Sequence, residues 1–269
     1  MSSVLGAAAR DLKELDLLAS GSSVIHRLDP RSKVVVLFVF LVSVALQKRY
    51  AFIDLLPFLI YPLAVAVQSN LPSRSLARKV FLLLPAVLVF GLFNPLFDTT
   101  PCFKIGSYVI TGGWLSLLTI LLRGFLTISA TLLLIATTRF TAVCSALSWL
   151  CIPVVLVNQL HFLYRYIFVL TEEAERLVRA RDLRLCGTRP TGVAVFGALV
   201  GQLLLRSWER AGRVHRAMLA RGYAGDIPRQ TQAPLCRRDY YFVVGWVIYF
   251  VLVSQLDLRD VIASVCMKG

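Results

Sequence analysis

The 269-residue chain is 57% hydrophobic and 16% charged, with a mean hydropathy of +0.72. A soluble protein of this length can bury a sizeable core, but its surface cannot tolerate this composition, so the chain reads as an integral membrane protein. The net charge of +14 raises nucleic acid as a partner. No binding motif accompanies the charge, however, and basic loops on the cytoplasmic side of a polytopic protein explain it better.

Residues 1–20 contain Asp11, Glu14 and Asp16 and no sustained apolar core, so this stretch is not expected to act as a signal peptide. Leu12, Leu15, Leu17 and Leu18, mixed with charges, suit a short interfacial helix. A turn from His26 to Lys33 follows, in which Asp29-Pro30 makes a helix opening: a capping carboxylate before a proline at the first helical position. Five stretches can cross a bilayer, at about 33–47, 51–68, 80–97, 114–138 and 240–256. Only Lys48-Arg49-Tyr50 separates the first two, which predicts a tight antiparallel hairpin.

With the N-terminus inside, the inner segments carry 23 basic residues and the outer ones 5, Arg123 lying within the fourth span. The chain is therefore expected in the cell membrane as a multi-pass protein, with its N-terminus and residues 139–239 cytoplasmic and its C-terminus outside. Two further stretches bear on this count. Residues 153–170 are apolar but carry Asn158, Gln159, His161 and Arg165, and 192–205 is short. Both are expected to lie against the membrane or other helices; a crossing by one would move the C-terminus to the inner side. The expected fold is all-α and polytopic: a membrane domain at 1–138, a cytoplasmic helical domain at 139–239, and a last span with its tail at 240–269.

Residues 139–239 hold 15 arginines, no lysine and seven acids. Arginine alone suits repeated pairing with carboxylates or carbonyls, because its fork is rigid and always charged. Glu172, Glu173 and Glu175 precede Arg176, Arg179 and Arg181, the order that a helix dipole favours. From 192 to 221, Val193, Phe196, Val200, Leu203, Leu204, Val214 and Met218 fall on one stripe, with Arg206, Glu209, Arg210, Arg213 and Arg216 largely off it. Gly222 is placed to stop that helix, with Pro228 beyond. Ala220-Arg221-Gly222 reads as a docking handle: a small residue for close approach, a five-donor fork for a carboxylate, and a helix stop. An imperfect copy, Ala180-Arg181-Asp182, lies 40 residues upstream, and two handles imply two partner surfaces.

Other chemistries find little support. The six cysteines show no metal spacing and read as free thiols, and His26, His161 and His215 lack any HxxxH or HExxH pattern. Met218 suits the apolar stripe better than a ligand role. No GxxxxGK[ST] loop, nucleophile elbow or paired-acid pattern occurs, so the chain is not expected to hydrolyse ATP or to act as an enzyme. Trp114, Tyr240, Tyr241 and Trp246, at or near span ends, read as interfacial anchors. Arg123, within a span, reads as an internal structural pairing, with snorkelling to the outer interface as the alternative.

Pro30-Arg31-Ser32-Lys33, Leu122-Arg123-Gly124, Thr137-Thr138-Arg139-Phe140, Arg165-Tyr166 and the two Ala-Arg triplets occur in an ordered set. Together they resemble the transmembrane (T) component of energy-coupling factor transporters. The run from Gln202 through Tyr223 is similar to the cobalt-type branch, CbiQ. The resemblance spans roughly residues 25–255. It implies a scaffold between two ABC-type ATPase subunits (CbiO-like), a metal-binding membrane subunit (CbiM-like) and a small accessory membrane subunit (CbiN-like). It also implies docking of the ATPases by Arg181 and Arg221 at the ends of crossed coupling helices. By the same resemblance no cofactor is expected on this chain, with ATP and Mg2+ on the partners and Co2+, or Ni2+, as cargo of the substrate subunit. Arg123, Arg165 and Arg216 are expected in structural or inter-subunit polar contacts. Asp182 departs from the family's glycine, so the first handle keeps its arginine without its helix stop. The alternatives are a nickel or vitamin transporter of the same type and a membrane-anchored assembly or signalling protein.

Overall fold

A computed structural model describes residues 19–21, 23–48, 52–69, 73–93, 101–105, 108–150, 152–184, 192–223 and 235–255, with 16 and 225. In chain order the elements are α1 (Pro30–Leu46), α2 (Phe52–Leu55), a 3-10 turn (Pro57–Leu59), α3 (Ile60–Ser69) and α4 (Ser73–Leu92). A hairpin of β1 (Pro101–Ile105) and β2 (Tyr108–Thr111) follows, then α5 (Gly112–Thr137), α6 (Phe140–Trp149), α7 (Val154–Arg184), α8 (Val193–Ala220) and α9 (Arg237–Gln255). The chain is all-α in class, with this one hairpin among the described residues. It divides into a framing unit, 18–139 with 234–269, and an inserted unit, 140–233 with 1–17.

In the framing unit, α1 opens at Asp29-Pro30 as expected. The Asp29 carboxylate accepts a hydrogen bond from the Arg31 amide at 2.9 Å, and Pro30 occupies the first turn, where no amide is needed. Val36, Phe40 and Val44 recur at a spacing of four and are fully buried. The Phe40 ring centroid lies 6.1 Å from Phe58, 4.8 Å from Tyr61 and 5.4 Å from Phe250, so α1, the second-span helices and α9 meet in one aromatic cluster. Lipid tails are as apolar as these rings, so close packing and polar contacts hold the cluster rather than expulsion of water. One such contact is the Tyr249 hydroxyl, which donates to the Pro57 carbonyl at 2.8 Å.

Helix α5 packs along α4, and the two come close at Gly124, where a Cβ would meet Val87 Cγ1 at 2.6 Å. This gives the Leu122-Arg123-Gly124 sequence a packing role, since a small residue admits the facing helix. Thr119, Thr127, Thr131 and Thr137 each donate to the carbonyl four residues earlier, which satisfies their hydroxyls within α5.

Among the described residues, three helical stretches are long and apolar enough to cross a membrane: Phe52–Ser69, Gly113–Thr137 and Val154–Arg184, with mean hydropathies of 1.6, 2.0 and 1.3. The third includes the segment that the sequence reading laid against the membrane. It is one unbroken helix because no glycine or proline separates its apolar front from its charged back. Helix α4 begins before the predicted span, since Arg78 and Lys79 continue the helix instead of preceding it. The two-stranded pairing, Phe103 opposite Ile110 and Ile105 opposite Tyr108, was not anticipated, although Gly106-Ser107 between two β-branched and aromatic runs is a hairpin signal. Leu12, Leu15, Leu17 and Leu18 fall outside the described residues, as does Pro228.

Candidate coupling site

The inserted unit carries the arginine-rich sequence on two long helices. Phe140 of α6 stacks on Tyr164 of α7 with centroids 4.6 Å apart, and Tyr164 meets Phe168 edge-on. Helix α8 packs on α7, yet none of its residues is fully buried. Its stripe is present but open: Val193, Phe196, Val200 and Leu204 are all exposed, as is Trp208. Phe162 and Tyr166 of α7 with Trp208, Val214 and Met218 of α8 and Tyr223 line a groove of about 580 Å³.

One ion pair ties the two helices together. Arg206 Nη1 of α8 donates to Glu173 Oε1 of α7 at 2.5 Å. Arg206, with Arg176 and Arg210 nearby, holds the Glu173 carboxyl below its ordinary value. Within α7 Arg179 lies 3.9 Å from Glu175, and within α8 Arg213 lies 3.8 Å from Glu209, both at i,i+4 spacing.

The second handle terminates α8. The Tyr223 amide donates to the Met218 carbonyl and the Gly222 amide to the Leu219 carbonyl, both at 3.0 Å. These are the two bonds of a Schellman cap, with Gly222 in the left-handed position at φ +82°. Arg221 is the cap residue between Ala220 and Gly222; its side chain is exposed, with no ion pair among the described residues. A helix C-terminus presents carbonyls, and a cation there is favourably placed.

The first handle is built differently. Ala180, Arg181 and Asp182 all lie inside α7, which continues to Arg184. Without a glycine the helix has no reason to stop. Arg181 Nη2 and Nε donate to Asp182 Oδ1 at 2.7 and 3.1 Å, so the fork that a partner carboxylate would occupy already holds an internal one.

The remaining sequence-derived residues separate. Arg123, in the framing unit, donates from Nη2 to the Gln47 carbonyl at 2.7 Å. Gln47 is the C-cap of α1, so the guanidinium meets an unsatisfied carbonyl at the negative end of a helix dipole. Arg165 and Arg216 are exposed, without an ion pair among the described residues.

Sequence reasoning missed a buried charged group in the framing unit. Lys33, 4% exposed, donates from Nζ to the Thr137 carbonyl at 3.1 Å and to Thr138 Oγ1 at 3.3 Å. Asp239, 5% exposed, accepts from the Asp29 amide and from the Cys236 amide, each at 2.9 Å. Two of the motifs that carried the resemblance, Pro30–Lys33 and Thr137-Thr138, thus touch in space.

The chain is similar in sequence to known proteins. Among similar chains is an energy-coupling factor transporter transmembrane protein EcfT of Bacillus subtilis, 28% identical over 227 residues, covering 78% of this chain and 84% of the relative. The EcfT of Heliobacterium modesticaldum is 28% identical over 250 residues, covering 86% and 92%. An uncharacterised protein of Methanocaldococcus jannaschii is 29% identical over 248 residues, covering 87% and 90%. The profile of the CbiQ family, described as cobalt transport protein, matches residues 21–233, and the chain belongs to that family.

Proposed function

We propose that this chain is the transmembrane coupling component of an energy-coupling factor importer driven by ATP. In this reading it carries no catalytic site of its own. Two ABC-type ATPase subunits hydrolyse ATP with Mg2+, and a separate membrane subunit binds the cargo. The observation that carries the proposal is the Arg221 terminus: an always-charged fork on a cap that fixes where α8 ends. Arg221 docks one ATPase through a carboxylate, and Arg181 docks the other once Asp182 gives way. Motion of the ATPases then reaches the cargo subunit through the open stripe of α8. Relatives named EcfT and the family profile support the transporter class.

The cargo we propose is Co2+, in keeping with the family's description, with Ni2+ as the competing ion. CbiM-like and CbiN-like membrane subunits would complete the assembly. Residues 139–239 are assigned to the cytoplasmic side and the C-terminus to the outside, on the excess of arginine in that segment. Labelling of a cysteine at the C-terminus from either side of sealed vesicles tests that orientation; labelling only from inside would mean that an extra helix such as α7 crosses.

Metal accumulation in cells supplied with this chain, its ATPases and its cargo subunit tests the function. Uptake must require ATP and must vanish when this chain alone is omitted. Uptake that persists without it refutes the proposal, and competition between Co2+ and Ni2+ decides the cargo.

A further inference from the structure

The 140–233 segment leaves the framing unit after Arg139 and re-enters it at Pro234, so whatever that segment transmits through its own backbone passes those two exits. Both exits are fastened to the same short stretch of α1. At the outgoing one, the buried Lys33 ammonium binds the last carbonyl of α5, Thr137 O, and the next side chain, Thr138 Oγ1. At the returning one, the buried Asp239 carboxylate binds the Asp29 amide just before α1, and its other oxygen closes the first turn of α9 through the Cys236 amide. Asp29 itself caps α1, and the carboxylates of Asp29 and Asp239 supply the negative charge near the lysine.

A buried ion without partners is costly, so such groups persist where they are paired and geometrically fixed. Lysine and aspartate here join backbone segments 104 and 210 residues apart in sequence. Apolar residues could fill the same volume, but they would not bind the particular carbonyl and amide that lie at the exits. The charge therefore fixes position.

We propose that Lys33 and Asp239 are positioning residues. They anchor both exits of the 140–233 segment to the start of α1, so that displacement of that segment is delivered to the membrane helices instead of being absorbed by loose connections. This rests on the coupling function proposed above.

The test uses the full assembled complex, with Lys33→Met, which keeps the length of the stem and removes every donor, and Asp239→Asn, which keeps one acceptor oxygen. Hydrogen–deuterium exchange is followed at the amides of Leu28 and Asp29, of 137–140 and of 236–239. In Lys33→Met the 137–140 amides are expected to exchange faster, and in Asp239→Asn those of Asp29 and Cys236, while 60–69 of α3 keeps its wild-type protection. Metal taken up per ATP hydrolysed, at equal amounts of assembled complex, is expected to fall about fivefold or more for Lys33→Met and by less for Asp239→Asn. Unchanged exchange at the exits overturns the anchor. Faster exchange with an unchanged uptake-to-hydrolysis ratio overturns its role in coupling. A loss of uptake explained entirely by less assembled complex also counts against it. If Lys33→Met does not fold, Asp239→Asn alone decides. Arg221→Glu run alongside keeps the readings apart: a complex that assembles normally with it refutes the docking reading, while the exchange data still judge the anchor.

Discussion

Substitution of Gly222 isolates the contribution of backbone geometry to the proposed docking end. At φ +82° this residue occupies a region that side-chain-bearing residues rarely adopt, and nothing lies within 4 Å of a Cβ built there. The penalty of Gly222→Ala is therefore conformational rather than steric, about 1–2 kcal/mol. Asparagine tolerates the left-handed region better and should lose less; valine, stiff at χ1, should lose more. If the cap must be kept for docking, the loss appears in binding as about a 5- to 30-fold rise in Kd for the ATPase subunits. The assay is titration of purified ATPase onto the detergent-solubilised chain, with circular dichroism confirming that α8 remains helical. The expected order of affinity is Gly222, then Asn, then Ala, then Val. Equal binding by Gly222→Val and the parent chain would refute the claim that the cap positions Arg221.

Asp182→Asn removes the internal competitor for Arg181 and should tighten ATPase binding by up to about fivefold, the scale of one exposed ion pair; weaker or unchanged binding contradicts the reading of Asp182. The Glu173–Arg206 pair joins α7 and α8 with Arg206 half exposed, so a double-mutant cycle on stability should give no more than about 1 kcal/mol of coupling after solvent screening. Because the Glu173 carboxyl is held below its ordinary 4.5, that coupling is complete at neutral pH and fades as the pH falls through the depressed value; coupling that vanishes already at pH 6 would show another group at work. Gly124→Ala drives a Cβ to 2.6 Å from Val87 Cγ1 and should cost about 1–3 kcal/mol in thermal unfolding, relieved in part by Val87→Ala; an unchanged melting temperature contradicts the close approach of α4 and α5.

What the sequence revealed follows the range of the interactions involved. Asp29-Pro30 and Gly222 act on backbone within a few residues, and both structures appear where local chemistry places them. The apolar stripe of α8 was likewise readable, because it follows from helical period alone, whereas its exposure is visible only in the structure. Helix continuity through Arg78 and Lys79 was obscured by reading hydropathy in place of helix propensity, for arginine and lysine are good helix formers. The Lys33 and Asp239 contacts were not readable at all, since hydrogen bonds to a carbonyl and an amide more than a hundred residues away leave no periodic signature. At Ala180-Arg181-Asp182 the departure from glycine was visible in the sequence, but only the side-chain geometry shows the arginine fork already engaged.

The central claim is that this chain couples ATPases to transport through the arginine at the end of α8. Its most direct test is the amount of ATPase retained when the tagged chain carries Arg221→Glu, compared with Arg213→Glu on the same helix, where the exposed arginine pairs only with Glu209 among the described residues. The account predicts that Arg221→Glu sheds ATPase and abolishes ATP-driven uptake, while Arg213→Glu, which removes the same charge but not the terminal fork, keeps most of both. Equal retention and equal uptake by the two variants would contradict it.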